Sequence, residues 1–310
     1  MGLNKKMQAV IFPGQGAQYV GMGKSLNDYS LCAKNIFYSI DSILGFSLSD
    51  KCFQGQESEL KETSTQQLAI LAVSLAAFEV FKEKNLKIDY LSGLSLGEYS
   101  CLYAAGVLNL DDLVNLVNQR AKAMNKAALD NPSTMFAVMG IARDALKEQA
   151  EKENFYIANI NSPGQTVVSL AKDKRNSIFT ILESAGARVI ELQVSGGFHS
   201  PFMNSAKEHL ASVVEAMNFS DAKIPIVSNF TAKGHIKAEE IKKNLLEQLT
   251  STVLWNDCVD YMTSAGVDSF FEVGPSKILR GLMRNINRQA KVINIGEKQD
   301  LDSLSVHENS

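Results

Sequence analysis

The stretch Gly93-Leu94-Ser95-Leu96-Gly97 constrains this chain more than any other, because two glycines around a central serine fit a sharp strand-to-helix turn. Glycine on both sides lets the backbone double back where a Cβ would clash. The flanks suit that context. Asp89-Tyr90-Leu91-Ser92 can end a strand, and the residues from Glu98 to Ala105 can begin a helix. In such an elbow the Ser95 hydroxyl stands exposed and the N–H of Leu96 points to where an oxyanion would form. An ordinary Gly/Ser turn of an α/β protein satisfies the same five residues, so the rest of the chain has to decide.

Bulk properties exclude more than they assign. A chain of 310 residues can hold one large or two modest cores. With 45% hydrophobic and 21% charged residues it reads as a soluble globular protein. A net charge of −3 argues against nucleic acid as partner, which would need a basic face. Cys32, Cys52, Cys101 and Cys258 lack paired metal-ligand spacing, so no metal site is expected and the thiols are read as reduced. No signal-peptide pattern precedes the first apolar run, and no apolar run is read as long enough for a membrane span. A cytoplasmic protein with no membrane partner is expected.

Periodicity lays out an α/β order. Gln8–Phe12 reads as a strand ending in the turn Pro13-Gly14-Gln15-Gly16. A phosphate cradle is one reading of that turn, but glycines 14, 16, 21 and 23 do not fit the dinucleotide fingerprint. Residues 65–81 read as a helix with Leu68, Leu71, Leu75 and Phe78 on one face, and 110–128 as another. Between Asn131-Pro132-Ser133 and Ser195-Gly196-Gly197 the order changes: strand 135–139, helix 142–153, strands 155–159 and 166–170, helix 174–185, strand 188–194. That βαββαβ order is the ferredoxin-like split unit. The expectation is a small domain over 131–197 inserted into a larger α/β domain made of 1–130 and 198–298. Strands at 224–228 and 269–273, a closing helix from Pro275 to Arg284 and a flexible tail over 299–310 complete the order.

A serine needs a base to take its proton, and histidine is the usual one. His209, His235 and His307 lie on polar or terminal segments and read as surface residues. His199 follows Gly196-Gly197-Phe198 where the chain re-enters the large domain, so it can face a cleft, although a structural histidine fits there too. Arg120 lies within or beside the apolar stripe of Leu110, Leu113, Val114, Val117 and Met124. A buried guanidinium cannot shed its proton and needs an anion. An internal salt bridge, snorkelling to the helix edge, or a two-pronged grip on a substrate carboxylate all meet that need. The turn at Gln15 could bring a second N–H opposite that of Leu96, or be an ordinary strand-to-helix turn.

Together these pieces resemble the malonyl-CoA:acyl-carrier-protein transacylases and the related acyltransferase domains of polyketide and fatty-acid synthases. The likeness runs from about Val10 to Ile295, over Phe12-Pro13-Gly14-Gln15-Gly16-Ala17-Gln18, the elbow with Glu98-Tyr99-Ser100, and Gln119-Arg120-Ala121-Lys122-Ala123-Met124. It continues through Asn161-Ser162-Pro163-Gly164-Gln165, Gly197-Phe198-His199-Ser200-Pro201, Gln248-Leu249-Thr250 with Trp255, and Phe271-Glu272-Val273-Gly274-Pro275.

The resemblance implies an α/β-hydrolase-like large domain with a ferredoxin-like insert and the site between them. It implies Ser95 as the acylated nucleophile, His199 as its base, and the N–H groups of Gln15 and Leu96 as the oxyanion hole. Arg120 would hold the malonyl carboxylate, and the main-chain carbonyl of Gln248 would orient His199, so that no third carboxylate is expected. Phe198, Leu94 and Met124 would shape acyl selection. The substrate implied is malonyl-CoA, the partner an acyl carrier protein, the resident cofactor none and the state a monomer.

Two departures stand out. Leu94 replaces the family's usual histidine and resembles free-standing acyltransferases of polyketide assembly lines. Thr252 and Gln67 replace usual prolines and read as structural. An acyl hydrolase, or a catalytically silent module that docks carrier proteins, remains the rival reading.

Overall fold

The computed structural model describes residues 7–307, with side chains described through residue 302. The first apolar run forms β1 (Met7–Phe12), and its place in the sheet explains its composition. On one side lies β2 (Tyr90–Gly93), with Phe12 opposite Gly93; on the other lies β9 (Val267–Val273). With β7 (Ile226–Val227), β8 (Gly234–His235) and β10 (Lys291–Ile295) they make a six-stranded sheet in the order β10-β9-β1-β2-β7-β8. Neighbours are parallel except β7 and β8.

A strand flanked on both edges and covered on both faces has no wet side, so Ala9, Val10, Ile11 and Phe12 are all fully buried. Alternation sends Val10 and Phe12 into one core and Ala9 and Ile11 into another, with Trp255, Val259 and Met283. The first core is organised by the helix Thr63–Lys82, which is buried on every side rather than along a single face. Contrary to the expectation from the sequence, this helix is long and apolar enough to cross a membrane. Yet 89% of its most apolar stretch is buried inside the molecule, as a central core helix requires.

The second sheet is antiparallel, in the order β4 (Tyr156–Ser162), β5 (Gln165–Ala171), β3 (Ser133–Met139), β6 (Arg188–Glu191). Phe136, Val138, Val168 and Leu170 pack on the helices Arg143–Glu153 and Arg175–Ser184. Met135, Ala137 and Val167 join the main core instead. β4 is also stitched to the segment that precedes the helix Trp255–Ser264: Ile160 N–H donates to the Val253 carbonyl (2.9 Å) and Val253 N–H to that of Ala158 (2.8 Å). Thr252, read from the sequence as structural, adds a hydroxyl bond to the Ile157 carbonyl at 2.7 Å. The architecture is thus mixed α/β, a mostly parallel sheet joined to an antiparallel one.

Several boundaries differ from the sequence reading. β6 ends at Glu191, because the Val194 N–H turns back to the Leu192 carbonyl. β7 is two residues long, and β10 was not anticipated. The closing helix begins at Ile278 rather than Pro275. Gly274 (φ 135°) and Ser276 (φ 70°) first reverse the chain, and the Glu272 carboxylate then accepts the N–H groups of Leu279 and Arg280. The flexible tail expected over 299–310 falls instead largely within the helix Lys298–His307, which buries Leu301; residues 308–310 lie outside the described residues.

Candidate active site

Ser95 sits where β2 ends and the helix Gly97–Ala104 begins, beside the end of β1. Ligands of parallel sheets gather at such carboxyl ends. Its φ of 52° is left-handed, a strained conformation for a side-chain-bearing residue and one that turns the hydroxyl outward from the elbow. The flanking glycine is required by contact as well as by turn geometry: a Cβ on Gly97 would lie 2.1 Å from the Phe12 carbonyl oxygen.

The Ser95 hydroxyl lies 2.7 Å from His199 Nε2. His199 is also left-handed, at φ 55°, and its loop is fixed on both sides. Gly197 N–H donates to Ser133 Oγ (2.7 Å), and Ser169 Oγ donates to the Phe198 carbonyl (2.6 Å). His199 Nδ1 is 2.8 Å from the main-chain oxygen of Gln248, the last residue of the helix Ala238–Gln248. Terminal helix carbonyls lack a partner within the helix, and a carbonyl can only accept. Nδ1 therefore carries the proton, and Nε2 presents its lone pair to the serine hydroxyl. Burial, aided by the nearby Arg120 charge, pushes the imidazole down to about 4, so it is neutral at neutral pH.

Arg120 approaches the same serine oxygen from the other side. Its helix, Leu110–Asp130, starts at Asn109, whose side chain caps the Asp112 N–H. The guanidinium is wholly buried, 3.3 Å from Ser95 Oγ through Nη2 and 2.6 Å from Gln67 Oε1 through Nη1, and it stacks over the Tyr99 ring at 4.8 Å. Its Nε has no hydrogen-bond partner among the described residues. Burial lowers its proton affinity from the ordinary arginine value. Among the described residues it makes no salt bridge, one of the alternatives considered from sequence; the direct partners are an amide, an aromatic face and the serine.

The Pro13–Gly16 turn packs directly on the elbow: a Cβ on Gly14 would come 2.3 Å from the Leu94 carbonyl oxygen. Gln15 thereby stands beside the serine, its side chain donating to Gln66 Oε1 at 2.6 Å, while Leu96 is buried at the first turn of the elbow helix. Gln15, Leu94, Ser95, Phe198 and His199 line a cavity of about 130 Å³, closed by Met135 and Asn159 of the second sheet. A wider cleft of about 660 Å³ opens past His199, between Arg143 and Lys147 on one wall and Ser251 and Thr252 on the other. Met124, expected to shape acyl selection, packs behind Gln67, whose Nε2 lies 3.6 Å from its sulfur. Gln67 itself, read as a structural departure, is a direct partner of Arg120.

The expectation of no nearby carboxylate is corrected by Glu98. One turn beyond Ser95 and fully buried, its Oε2 accepts from Gln248 Nε2 (2.6 Å) and from the Asn229 N–H (3.0 Å). Asn229 in turn accepts the Ser95 N–H (2.7 Å) and donates to the Gly93 carbonyl (2.8 Å). Sequence reasoning passed over Glu98 as an early-helix acid and did not weigh Asn229. The available signal was a carboxylate three residues after the nucleophile in an otherwise apolar turn. His209 is exposed, as expected, whereas His235 is partly buried between Thr231 and Glu240; the His307 side chain lies outside the described residues.

Such a constellation suits attack on an acyl group that carries a negative charge near the reacting carbonyl. The acyl transferase domain family matches residues 10–301. The malonyl CoA-acyl carrier protein transacylase of Bacillus subtilis strain 168 is 38% identical over 300 residues, covering 95% of each chain. The malonyl CoA-acyl carrier protein transacylase from Clostridium perfringens superposes with a TM-score of 0.93 at 31% identity, covering 98% of this chain and 97% of that one. A structure of a type II PKS acyl-carrier protein in complex with its malonyl-transacylase gives 0.92 at 32% identity, covering 98% and 100%.

Proposed function

This chain belongs to the acyl transferase domain family, and we propose that it moves a malonyl group from malonyl-CoA to the phosphopantetheine thiol of an acyl carrier protein. The observation that carries the reading is a single serine oxygen contacted by both a neutral imidazole at 2.7 Å and a buried guanidinium at 3.3 Å. The first makes a nucleophile. The second gives a carboxylate-bearing acyl group a place to rest its charge.

In this reading His199 Nε2 takes the Ser95 proton as Oγ attacks the thioester carbonyl. The N–H groups of Gln15 and Leu96 stabilise the tetrahedral oxyanion. The intermediate collapses, the C–S bond breaks and His199 returns the proton to the departing CoA thiolate, leaving a malonyl ester on Ser95. The carrier-protein thiol then repeats the sequence in reverse, with His199 again as base. Arg120 holds the malonyl carboxylate throughout through a two-pronged contact. Phe198 and Leu94 shape the cavity wall beside the acyl group. The thioester supplies the driving force, so no resident cofactor or metal takes part.

Strand order and connections support a finer description: an α/β-hydrolase-like large domain (1–130 and 198–298) with a ferredoxin-like insert (131–197). A cytoplasmic monomer serving polyketide or fatty-acid synthesis completes the proposal, with Leu94 favouring the former. The relatives reported above are transferases by name and lend no support to the hydrolase alternative. Intact-protein mass spectrometry tests the reading. One malonyl adduct on Ser95 after exposure to malonyl-CoA, discharged by a holo carrier protein rather than by water, is the expected result. No adduct, or discharge by water alone, would overturn it.

A further inference from the structure

We infer that Glu98 is a positioning residue that sets the nucleophile and its base in register through a closed ring of hydrogen bonds. The inference rests on the acyl-transfer reading above. The ring runs from Ser95 N–H to Asn229 Oδ1 (2.7 Å), from Asn229 N–H to Glu98 Oε2 (3.0 Å) and from Gln248 Nε2 to the same Oε2 (2.6 Å). It then passes from His199 Nδ1 to the Gln248 oxygen (2.8 Å) and closes from His199 Nε2 to Ser95 Oγ (2.7 Å). Gln248 Nε2 also reaches the Ser95 carbonyl at 3.1 Å, so the residue that orients the base is tied to the nucleophile twice.

One carboxylate oxygen therefore fixes two groups drawn from separate segments of the chain. Asn229, after β7, supports the strained serine backbone. Gln248, at a helix end, presents the carbonyl that holds the imidazole. Neither has another charged anchor among its hydrogen bonds here. Above its raised pKa the carboxylate holds them more strongly than a neutral acceptor would, because hydrogen bonds to an ionised group are shorter and roughly twice as strong. Glu98 touches neither substrate nor reacting atoms; it acts through its two partners. Burial pushes its carboxyl up to about 7, opposed by the donors from Asn229, Gln248 and Ser228. The charged and titratable groups around it are Arg120 across the helix pair, Tyr99 and Cys101 on its own helix and Cys258 from the helix Trp255–Ser264.

The test is single-turnover acylation of Ser95 by malonyl-CoA in the full-length protein, followed by rapid-quench mass spectrometry. Glu98→Ala is expected to slow acylation about 100-fold, the effect of a displacement near 1 Å in a reacting pair, with the KM for malonyl-CoA changed by less than about 2-fold because Arg120 is untouched. Glu98→Gln keeps an acceptor for both donors and is expected to recover most of that loss, falling only about 3- to 10-fold. A packing role would predict the reverse split, with both variants altering stability and neither changing the rate per folded molecule. Should Glu98→Ala not fold, Glu98→Gln and Asn229→Ala are compared instead, and Asn229→Ala is expected to slow acylation more. A wild-type rate in folded Glu98→Ala, or in both of the substitutes, overturns the inference. Absence of acylation in the unmutated protein overturns the transfer reading itself, so the two failures are distinguishable.

Discussion

The two flanks of the Ser95 hydroxyl are built on opposite principles. On the His199 side every polar position of the imidazole is assigned: Nδ1 to a carbonyl, Nε2 to the serine, with Gln248 and Asn229 anchored on one buried carboxylate. On the Arg120 side the guanidinium is equally buried but incompletely paired, with an unpartnered Nε and an amide in place of an acid. A group that must pass one proton in each direction needs fixed geometry. A group that must receive a charged ligand needs unmet demand. The contrast teaches that burial means completion for the imidazole and readiness for the guanidinium, even though the Gln248 amide oxygen beside the imidazole is itself unpaired among the described residues.

The largest effect should come from breaking the completed flank. His199→Ala removes the base and is expected to lower the rate of Ser95 acylation by about 10³-fold, within the range general-base catalysis supplies. Its affinity for malonyl-CoA should hold, since the arginine flank is intact. Rapid-quench acylation and equilibrium binding measured together check the split; loss of binding in step with rate would mean that the flanks are not separable.

Breaking the other flank should be more selective. Arg120→Ala is expected to reduce kcat/KM for malonyl-CoA by about 10²-fold, as truncating one partner of a buried charge pair costs 2–5 kcal/mol, while acetyl-CoA turnover is spared. Arg120→Met sharpens the point, because it fills the space without the charge. Replacing an underpaired buried charge by an apolar side chain should leave Tm unchanged or raise it. A lowered Tm, or unchanged malonyl selectivity in either variant, would show the guanidinium to be a structural cation already satisfied by its neighbours.

The same contrast explains what could be read from the chain in advance. Elements announced themselves where local chemistry and periodicity agreed: the elbow at Gly93 and Gly97, the helix bearing Arg120, the βαββαβ segment. Boundaries failed where tertiary contacts override local pattern, as at Ile278, whose helix waits for the Glu272 cap after two left-handed residues. Ser95, His199 and Arg120 are brought together, and Gln248 meets His199 through its main-chain carbonyl, as the family resemblance implied and local periodicity alone could not. Glu98 was hidden because a single acid early in a helix is ordinary. Its significance comes from Asn229, 131 residues away, which only the fold supplies. Gln67 was hidden for the same reason, being one polar residue in a helix whose all-round burial could not be seen from its apolar face.

The smallest effect, and the finest probe of the completed flank, is the pH dependence of stability. His199 is lowered to about 4 from an ordinary 6.5, so between those values the unfolded chain binds more protons than the folded one, and stability falls on acidification. Glu98 is raised to about 7 from 4.5, so over that interval the folded chain binds more protons and stability rises on acidification. Between pH 6.5 and 4.5 the two slopes oppose each other. Glu98→Gln removes one of them and leaves the other, so Tm in that variant should drop more steeply with acid than in the unmutated protein, by an additional ~2 °C per pH unit over that window. His199→Ala should tilt the curve the other way. Parallel Tm–pH curves for all three proteins would mean that burial in the ring shifts neither the Glu98 carboxyl nor the His199 imidazole, and that the completed flank is a set of contacts without electrostatic linkage.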